Sequence, residues 1–452
     1  MGAALEYAYR YSHESGLEDS DGRAQLRLAT FGGAEENPYF FQGKLRNPRR
    51  TADLMLAVAR VARSRFHLPA QMLARILAAA DPVVTCTDSR IRFESFSACC
   101  GAYARLDLTE KGFDGDLLGR GTTNVDFNPP MRAALSKIRT GEEVGLSVGT
   151  REVRVDTREG SATERKVALP TRWLKGFVEV QAHQARMQTR FEIKGAEIRR
   201  FLRALPRGGT RGASFIVSAG RGLRLSQVES REAVRVGGIE RLRVLEDVAG
   251  DASVLRVFGQ AGGEASGFEL VFDDARFHLV LSPEIWRGFS GEGQVLENLA
   301  QDRSEAEVTR AHASLNWNPL VEPSELARHA KLNPEEVKRA LAVLGARGLV
   351  GYDLHEGRYF HRELPFDLGL VEKLQPRLVA ARKLVEAGGI EFTSRTEELV
   401  EAWVPGSDVK QRVKITPEGA KCTCTWYAKH QGERGPCKHV LAVQIRISGE
   451  DA

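Results

Sequence analysis

The chain has 452 residues, more than one hydrophobic core usually holds, since single cores rarely grow beyond ~250–300 residues. Its 42% hydrophobic and 28% charged residues are ordinary for a soluble globular protein, and no apolar run reaches the ~18–20 residues that span a bilayer. The net charge of +5 permits nucleic-acid binding without requiring it.

Cysteine usage indicates the compartment. Cys86, Cys99 and Cys100 lie outside the C-terminal cluster described below, and an odd number without framework spacing suits a reducing cytosol. The N-terminus shows no signal-peptide profile, so we expect a soluble, cytoplasmic protein. Vicinal Cys99 and Cys100 could serve redox or metal chemistry, but without a nearby ligand set we interpret them as buried small hydrophobes.

Residues 1–82 are predicted to form an N-terminal region of strands followed by a basic helix. Thr51 is a plausible N-cap, and Leu54 and Val58 recur at helical spacing. Five arginines could make this helix a phosphate-facing surface, although a solvated helix face is the favoured interpretation. They are Arg49, Arg50, Arg60, Arg63 and Arg65.

Residues 83–300 are predicted to form an α+β sheet domain with an internal repeat covering 125–157 and 191–227. Each unit reads as a strand, a helix and a hairpin, and two such units side by side would share one sheet with helices on one face. This order loosely resembles half of a DNA sliding clamp, a likeness that concerns the fold alone. A further strand is expected over 241–245. The glycine-rich stretch 119–124 lacks the Lys-Ser/Thr of a phosphate-binding loop, so a nucleotide site there is disfavoured.

Residues 301–366 change character to helices. Asn333 suits an N-cap and Pro334 the first helical position of a helix that ends near Gly345 or Gly348. Two strands over 349–354 and 359–364 would follow as a wing. Helix, turn, helix and wing resemble a winged helix-turn-helix, which implies that the exposed Lys338 and Arg339 face either the major groove of DNA or a protein partner.

A connector, 367–397, leads to the stretch with the most specific pattern, 398–447. It contains Cys422-x-Cys424, twelve residues, and then Cys437-x-His439. Three thiolates and one imidazole make a closed tetrahedral zinc set. Unrelated cysteines are one alternative, which fits such ligand spacing poorly. A disulfide framework is the other, and it fits poorly with a chain that lacks a secretion signal.

This pattern resembles the SWIM zinc finger, a family defined by Cys-x-Cys…Cys-x-His with a short strand pair before it and a helix after it. Cys422, Cys424, Cys437 and His439 fall on the four family ligands, so the resemblance implies one bound Zn²⁺. The layout is also similar to that of bacterial proteins named for their SWIM finger. The fold expected overall is multidomain α+β, with a duplicated helix-and-sheet domain, a winged helix-like domain and a small zinc finger.

Three classes of function follow. The first is a non-enzymatic protein that binds nucleic acid, DNA rather than RNA, through the finger and the winged helix, since SWIM fingers are proposed to bind DNA or protein. Residues 409–446 hold eight Lys and Arg against two Glu. The cations expected to contact nucleic acid are Lys421, Lys429, Arg434 and Lys438 at the finger, with Lys338 and Arg339.

The second class is a protein-interaction adaptor, because the resemblance implies bacterial relatives that accompany MoxR-type AAA+ ATPases and von Willebrand A-domain proteins. The third is an enzyme. No His-Glu-x-x-His and no phosphate-binding loop is present in the sequence. We therefore expect no catalytic residues, and zinc with a structural role.

Overall fold

The computed structural model describes residues 16–20, 23–27, 39–64, 82–125, 127–166, 169, 171–208, 214–260, 264–289, 305–364, 375–432 and 434–450. Within these ranges no helix is long and apolar enough to cross a membrane.

The strands fall in six antiparallel groups along the chain. They are β1 (Gly16–Ser20), β2 (Arg23–Arg27), β3 (Tyr39–Leu45), β4 (Val83–Cys86), β5 (Arg90–Phe96), β6 (Ala102–Thr109), β7 (Phe113–Leu117), β8 (Gly121–Asn124), β9 (Gly145–Gly149), β10 (Glu152–Thr157), β11 (Gly160–Arg165), β12 (Gln188–Lys194), β13 (Ser214–Ala219), β14 (Gly222–Ser226), β15 (Val234–Val236), β16 (Val254–Gly259), β17 (Ser266–Val271), β18 (Ala275–Leu281), β19 (Val350–Asp353), β20 (Arg358–His361), β21 (Glu391–Arg395), β22 (Val400–Val404), β23 (Gln411–Thr416) and β24 (Gly419–Cys422).

The helices are concentrated toward the C-terminal half. They are α1 (Pro48–Arg63), α2 (Pro129–Lys137), α3 (Thr171–Gln184), α4 (Ala196–Arg203), a 3₁₀ helix (Ile239–Leu242), α5 (Arg243–Val248), α6 (Glu305–Ala313), α7 (Pro323–Ala330), α8 (Pro334–Ala346), α9 (Pro376–Ala387), α10 (Thr425–His430) and α11 (Lys438–Glu450).

An eight-stranded sheet, in the order β12-β16-β17-β18-β6-β5-β4-β8, forms the centre of the molecule. Strands β4, β5, β6, β17 and β18 are buried on both faces, while the edge strand β12 is mostly exposed, and side chains alternate between the faces with the period of a strand. On β6, Ala104, Leu106 and Leu108 face the core shared with a row of helices in the order α2-α1-α5-α4. The neighbouring Tyr103 belongs to a second core, which Trp173 and Phe177 of α3 complete.

The repeat predicted in residues 83–300 yields the expected elements but not the expected sheet. Hairpins β9–β10 and β13–β14 both form, the second with Ala219 opposite Gly222. The prediction that both units share one sheet is wrong: β9–β10 lies in the five-stranded sheet β11-β10-β9-β3-β7, and β13–β14 in the three-stranded sheet β14-β13-β15. The reason is long-range pairing, because β3, about a hundred residues earlier, takes the free edge of β9.

Two local predictions also need correction. The strand expected at 241–245 is helical, because buried Arg241 donates hydrogen bonds to the carbonyl oxygens of Gly237, Gly101 and Ser282 and holds the segment there. Helix α1 begins at Pro48 and not after Thr51, which is buried inside it; Asn47 is its N-cap residue. A proline at the first helical position accounts for this start.

The basic helix α1 packs against β5 and β6, and the strand β3 before it joins β7 and β9. Residues 39–63, predicted as part of an N-terminal region, thus share the sheet core. Several arginines of α1 are neutralised: Arg49 pairs with Asp53, Arg50 with Asp274 and Arg60 with Asp247. Arg65 lies outside the described residues. These pairs agree with the interpretation of α1 as an ordinary solvated helix face.

Residues 305–364 form three helices, α6 to α8, followed by the hairpin β19–β20. The predicted cap of α8 is present, since Asn333 accepts from the backbone N–H of Glu336 and the Glu336 carboxylate accepts from the N–H of Asn333. Strand β19 lies within the predicted range 349–354, and β20 begins one residue before the predicted range 359–364. Helix α8 packs against α6, α7 and α3.

The last part of the chain is a four-stranded sheet, β21-β22-β23-β24, covered by α11, and α9 packs against α11. Val413 on β23 and Val440 and Leu441 on α11 are buried in its core. The segment predicted as a connector, 367–397, supplies α9 and β21 to this unit; its residues 367–374 lie outside the described ranges. We call residues 391–450 the finger unit.

Candidate metal centre and its surface

The four predicted ligands converge at the end of the β23–β24 hairpin. His439 Nδ1 lies 3.8 Å from Cys422 Sγ and 4.0 Å from Cys437 Sγ, and one ligand atom from each of the four residues lies within 4.8 Å of all the others. Tetrahedral zinc, with bonds of ~2.3 Å to sulfur and ~2.0–2.1 Å to nitrogen, separates such atoms by roughly 3.5 Å. The side chains are buried and all three thiols are free. Cys422, Cys424, Cys437 and His439 therefore form a zinc site that leaves no position open for a substrate.

Backbone N–H donors at two helix N-termini favour the thiolate forms of Cys424 and Cys437, although burial raises the pKa of Cys424 overall. Cys424 is the N-cap of α10, and its Sγ accepts a hydrogen bond from the N–H of Tyr427 at 3.4 Å. Cys437 precedes α11, and its Sγ accepts from the N–H of Val440 at 3.5 Å. Hydrogen bonds from the thiol of Cys422, from His439 and from this N–H lower the pKa of Cys437 to about 4. Helix dipoles and N–H donors stabilise the negative charge that zinc requires of its ligands.

Arg377 at the start of α9 holds the loop between the two ligand pairs. Its guanidinium donates to the carbonyl oxygens of Arg434 at 2.9 Å and Pro436 at 2.8 Å. The same group lies 4.6 Å from the ring centroid of Trp426 on α10. One side chain thus connects the helix after Cys424 with the residue before Cys437.

The predicted finger cations surround this centre. Lys421, Lys429 and Arg434 are exposed and Lys438 is half-buried. None of the four makes an ion pair with any carboxylate in the described ranges, in contrast to the arginines of α1. Partial burial lowers the pKa of His430, as do the charges of Arg434, Lys429, Arg377 and Arg287. Positive charge is therefore concentrated at the end of α10.

The two predicted cations of α8 lie on a separate element. Lys338 and Arg339 are exposed on its N-terminal half, and Arg339 Nη2 lies 3.9 Å from a carboxylate oxygen of Glu307. No hydrogen bond or ion pair links either residue to the described part of the finger unit. The C-terminal half of α8 is buried, with Gly345 against Gln181 of α3.

The hairpin β19–β20 is docked on the eight-stranded sheet by buried charges. Asp353 lies 2.9 Å from Arg90, 3.4 Å from Arg92 and 3.4 Å from Arg105. The guanidinium of Arg92 lies 4.1 Å from the ring centroid of Phe360 on β20. This hairpin is consequently covered by the sheet and cannot act as a free wing.

Two other groups of potential ligands do not fit a metal. Asp107, His278 and Asp353 are buried together, but the guanidiniums of Arg92 and Arg105 already neutralise both carboxylates.

His312, His361 and Glu363 also converge, with both imidazole Nε2 atoms 3.2–3.3 Å from Glu363 Oε1. The backbone N–H of Trp317 donates to His361 Nδ1 at 2.8 Å, so the proton of that ring sits on Nε2, which then has no lone pair for a metal.

A cleft of about 560 Å³ separates the finger unit from α3 and the segment after β18. Lys414, Lys421 and Tyr427 line one wall, while Arg186 and Arg287 are among the residues of the other. Sequence reasoning missed the cleft, Lys414 and Arg377. Their roles depend on contacts between distant segments, and only the high count of cations in 409–446 hinted at Lys414.

Comparisons with known proteins support the zinc centre. The family model of the SWIM zinc finger matches residues 412–447, which include all four ligands. Among solved structures, the chain is similar to the crystal structure of Proliferating Cellular Nuclear Antigen from Entamoeba histolytica, with 11% identity over 54% of this chain and 98% of that one. The TM-score is 0.35, which does not establish a common fold. No curated protein matches the chain.

Proposed function

We propose that this protein binds nucleic acid, DNA in preference to RNA, through the surface around its zinc centre, and that it catalyses no reaction. The proposal rests on one observation. The zinc site is surrounded by four cations that have no carboxylate partner in the described ranges: Lys421, Lys429, Arg434 and Lys438. The exposed Lys137, by contrast, pairs with Glu159. Unpaired cations grouped on one surface are what phosphate groups require.

A second contact is proposed at α8. The order α6, α7, α8 and hairpin is that of a winged helix-turn-helix, and the exposed half of α8 carries Lys338 and Arg339. Because β19–β20 is docked on the sheet, this contact would use the helix alone. Two weak sites on one chain bind more tightly together than either does alone, if one ligand reaches both.

The test is fluorescence anisotropy of the full chain on labelled single- and double-stranded DNA and RNA over a salt series. Each lost phosphate contact should reduce the slope of log K against log salt by roughly 0.7–0.9. Replacing Lys421, Lys429, Arg434 and Lys438 by Ala should therefore reduce the slope by about 3.

The matched control removes four exposed lysines that each have a carboxylate partner: Lys44, Lys137, Lys194 and Lys410. This variant loses the same net charge as the four-cation variant. If the finger cations make the phosphate contacts, the control should keep the slope of the native chain. Absence of binding at low salt would reject the nucleic-acid function.

A protein partner is the second candidate, in an adaptor role such as one for an AAA+ ATPase. Exposed apolar side chains on the finger unit favour it, since Trp403 is 38% and Val409 65% exposed. An interface built on such residues should depend little on salt, which separates it from phosphate binding.

A further inference from the structure

Two lysines face each other directly on the hairpin that carries the zinc ligands. Lys414 on β23 and Lys421 on β24 are cross-strand partners, and both line the 560 Å³ cleft. Like charges at directly opposite positions destabilise an antiparallel pair. The nearest partner in register, Glu401, accepts a hydrogen bond from Arg412 at 2.7 Å. Neither lysine side chain has a hydrogen bond or ion pair with another described residue.

The opposite wall uses its carboxylates internally. Glu264 lies 3.0 Å from Arg186 and 3.6 Å from His183, and Glu179 lies 3.7 Å from the same histidine. These acids do not reach across to the two lysines. Arg287 lines the same wall, and its positive charge contributes to the lowered pKa of His430 on the finger unit. Glu418, at the turn of the hairpin that carries the two lysines, also lines the cleft. The cleft nevertheless has cations on both sides, and the lysine pair makes no ion pair with these carboxylates, so it is left for an anion.

The volume of the cleft and an exposed aromatic side chain next to it indicate which class of anion the cleft binds. A volume of about 560 Å³ is that of a small-ligand pocket, too small to admit a duplex but sufficient for part of a single strand. Trp286 is 65% exposed; it does not itself line the cleft but precedes Arg287, which does. Cationic grooves with exposed aromatic rings on which bases stack are typical of single-strand binding.

We propose that the cleft between the finger unit and α3 binds a single strand of nucleic acid, with Lys414 and Lys421 contacting its phosphates and Trp286 stacking on a base. This inference rests on the proposed function and specifies its ligand. Lys414, Arg287 and Trp286 are outside the set of cations used to test that function, so the two can fail separately.

The experiment measures anisotropy of a labelled oligo(dT) strand on the full chain with the variants Lys414→Ala, Arg287→Ala and Trp286→Ala. Lys410→Ala is the matched control, since this lysine lies on the same unit, pairs with Glu391 and does not line the cleft. We expect Lys414→Ala to reduce the salt slope by roughly 0.7. Loss of stacking in Trp286→Ala should weaken binding by about fivefold or more, since base stacking contributes ~1–3 kcal/mol. Lys410→Ala should change neither.

Folding of the cleft variants is checked by thermal melting. Removal of one of two opposed like charges should leave the Tm of Lys414→Ala unchanged or raise it, so lost binding would not reflect unfolding. Competition identifies the source of the phosphate: unlabelled strand should compete, while a hairpin duplex, tripolyphosphate and poly-glutamate should compete weakly.

Four outcomes would overturn the inference. If Lys414→Ala, Arg287→Ala and Trp286→Ala all bind like the native chain while the four-cation variant loses binding, the proposed function stands and the cleft is not the site. Equal competition by tripolyphosphate would indicate a small phosphate ligand, and equal competition by poly-glutamate an acidic peptide. No nucleic-acid binding by the native chain would remove both proposals.

Discussion

The guanidinium of Arg377 lies over the indole of Trp426, 4.6 Å from the ring centroid, and so joins helix α9 to the zinc centre. The same group donates to the carbonyl oxygen of Pro436 at 2.8 Å, directly before the ligand Cys437. This contact shows that the centre is held from outside the residues that bind the metal.

Arg377→Ala should loosen the zinc loop. Hydrogen bonds from a charged donor contribute ~1.5–3 kcal/mol, so we expect a loss of about 2 kcal/mol in the stability of the finger unit and faster zinc release. The measurement is zinc transfer to a chromogenic chelator. Lys383→Ala, an exposed change on the same helix, is the control and should release zinc at the native rate. Equal rates for both variants would show that Arg377 does not support the loop.

Cys437→Ser should abolish zinc binding, because a serine hydroxyl does not replace a thiolate ligand. Structural zinc contributes much of the folding free energy of small fingers, so residues from about 400 onward should lose their protection from hydrogen exchange while 83–125 keep theirs. Cys99→Ser, outside the centre, should retain both. Retention of full protection by Cys437→Ser would contradict a structural role for the metal.

Asp353→Asn should detach the hairpin β19–β20 from the sheet. The change leaves buried Arg92 and Arg105 without a full counter-charge, and breaking such a pair costs about 3–5 kcal/mol. Asp88→Asn removes an exposed pair with Arg120 and should cost less than about 1 kcal/mol. Thermal melting measures the loss of stability, and hydrogen exchange of residues 350–361 measures the detachment of the hairpin. Native-like exchange in Asp353→Asn would mean that packing alone holds the hairpin.

Acid should release the same hairpin. Burial opposes ionisation of Asp353, but Arg105 and Arg92 outweigh it and lower the pKa of the carboxyl from 3.8 to about 2. A lowered pKa stabilises the folded state above about pH 4, and that contribution, roughly 2 kcal/mol, is lost as pH falls toward 2. Hydrogen exchange of 350–361 between pH 5 and pH 2 should show the loss. The Asp353→Asn variant should not show this loss of protection between pH 5 and pH 2. Identical exchange profiles for the native chain and the variant would exclude this carboxyl as the cause.

Sequence patterns predicted the features that depend on neighbouring residues. The spacing of Cys422, Cys424, Cys437 and His439 predicted the zinc centre because the ligands lie within eighteen positions of one another. The cap at Asn333 and the hairpins were predicted for the same reason.

Features that depend on distant segments were not predictable. No local pattern shows that β3 pairs with β9, that Arg377 reaches Pro436, or that Asp353 meets Arg92 across 261 positions. The segment 241–245 was mistaken for a strand because its apolar residues alternate with arginines. Its helical form depends on the hydrogen bonds that Arg241 donates to three carbonyl oxygens. Two of these oxygens, those of Gly101 and Ser282, belong to residues far away in the sequence.

The most direct test of the account is to follow nucleic-acid binding while zinc is withdrawn. The full chain, bound to a labelled strand at low salt, is titrated with a chelator, and anisotropy and released zinc are recorded together. We predict one zinc per chain and a loss of binding in proportion to the zinc released, because the metal holds the strand, loop and helices that carry Lys421, Lys429, Arg434 and Lys438. Binding that persists after all zinc has left, or a chain that contains no zinc, would contradict it.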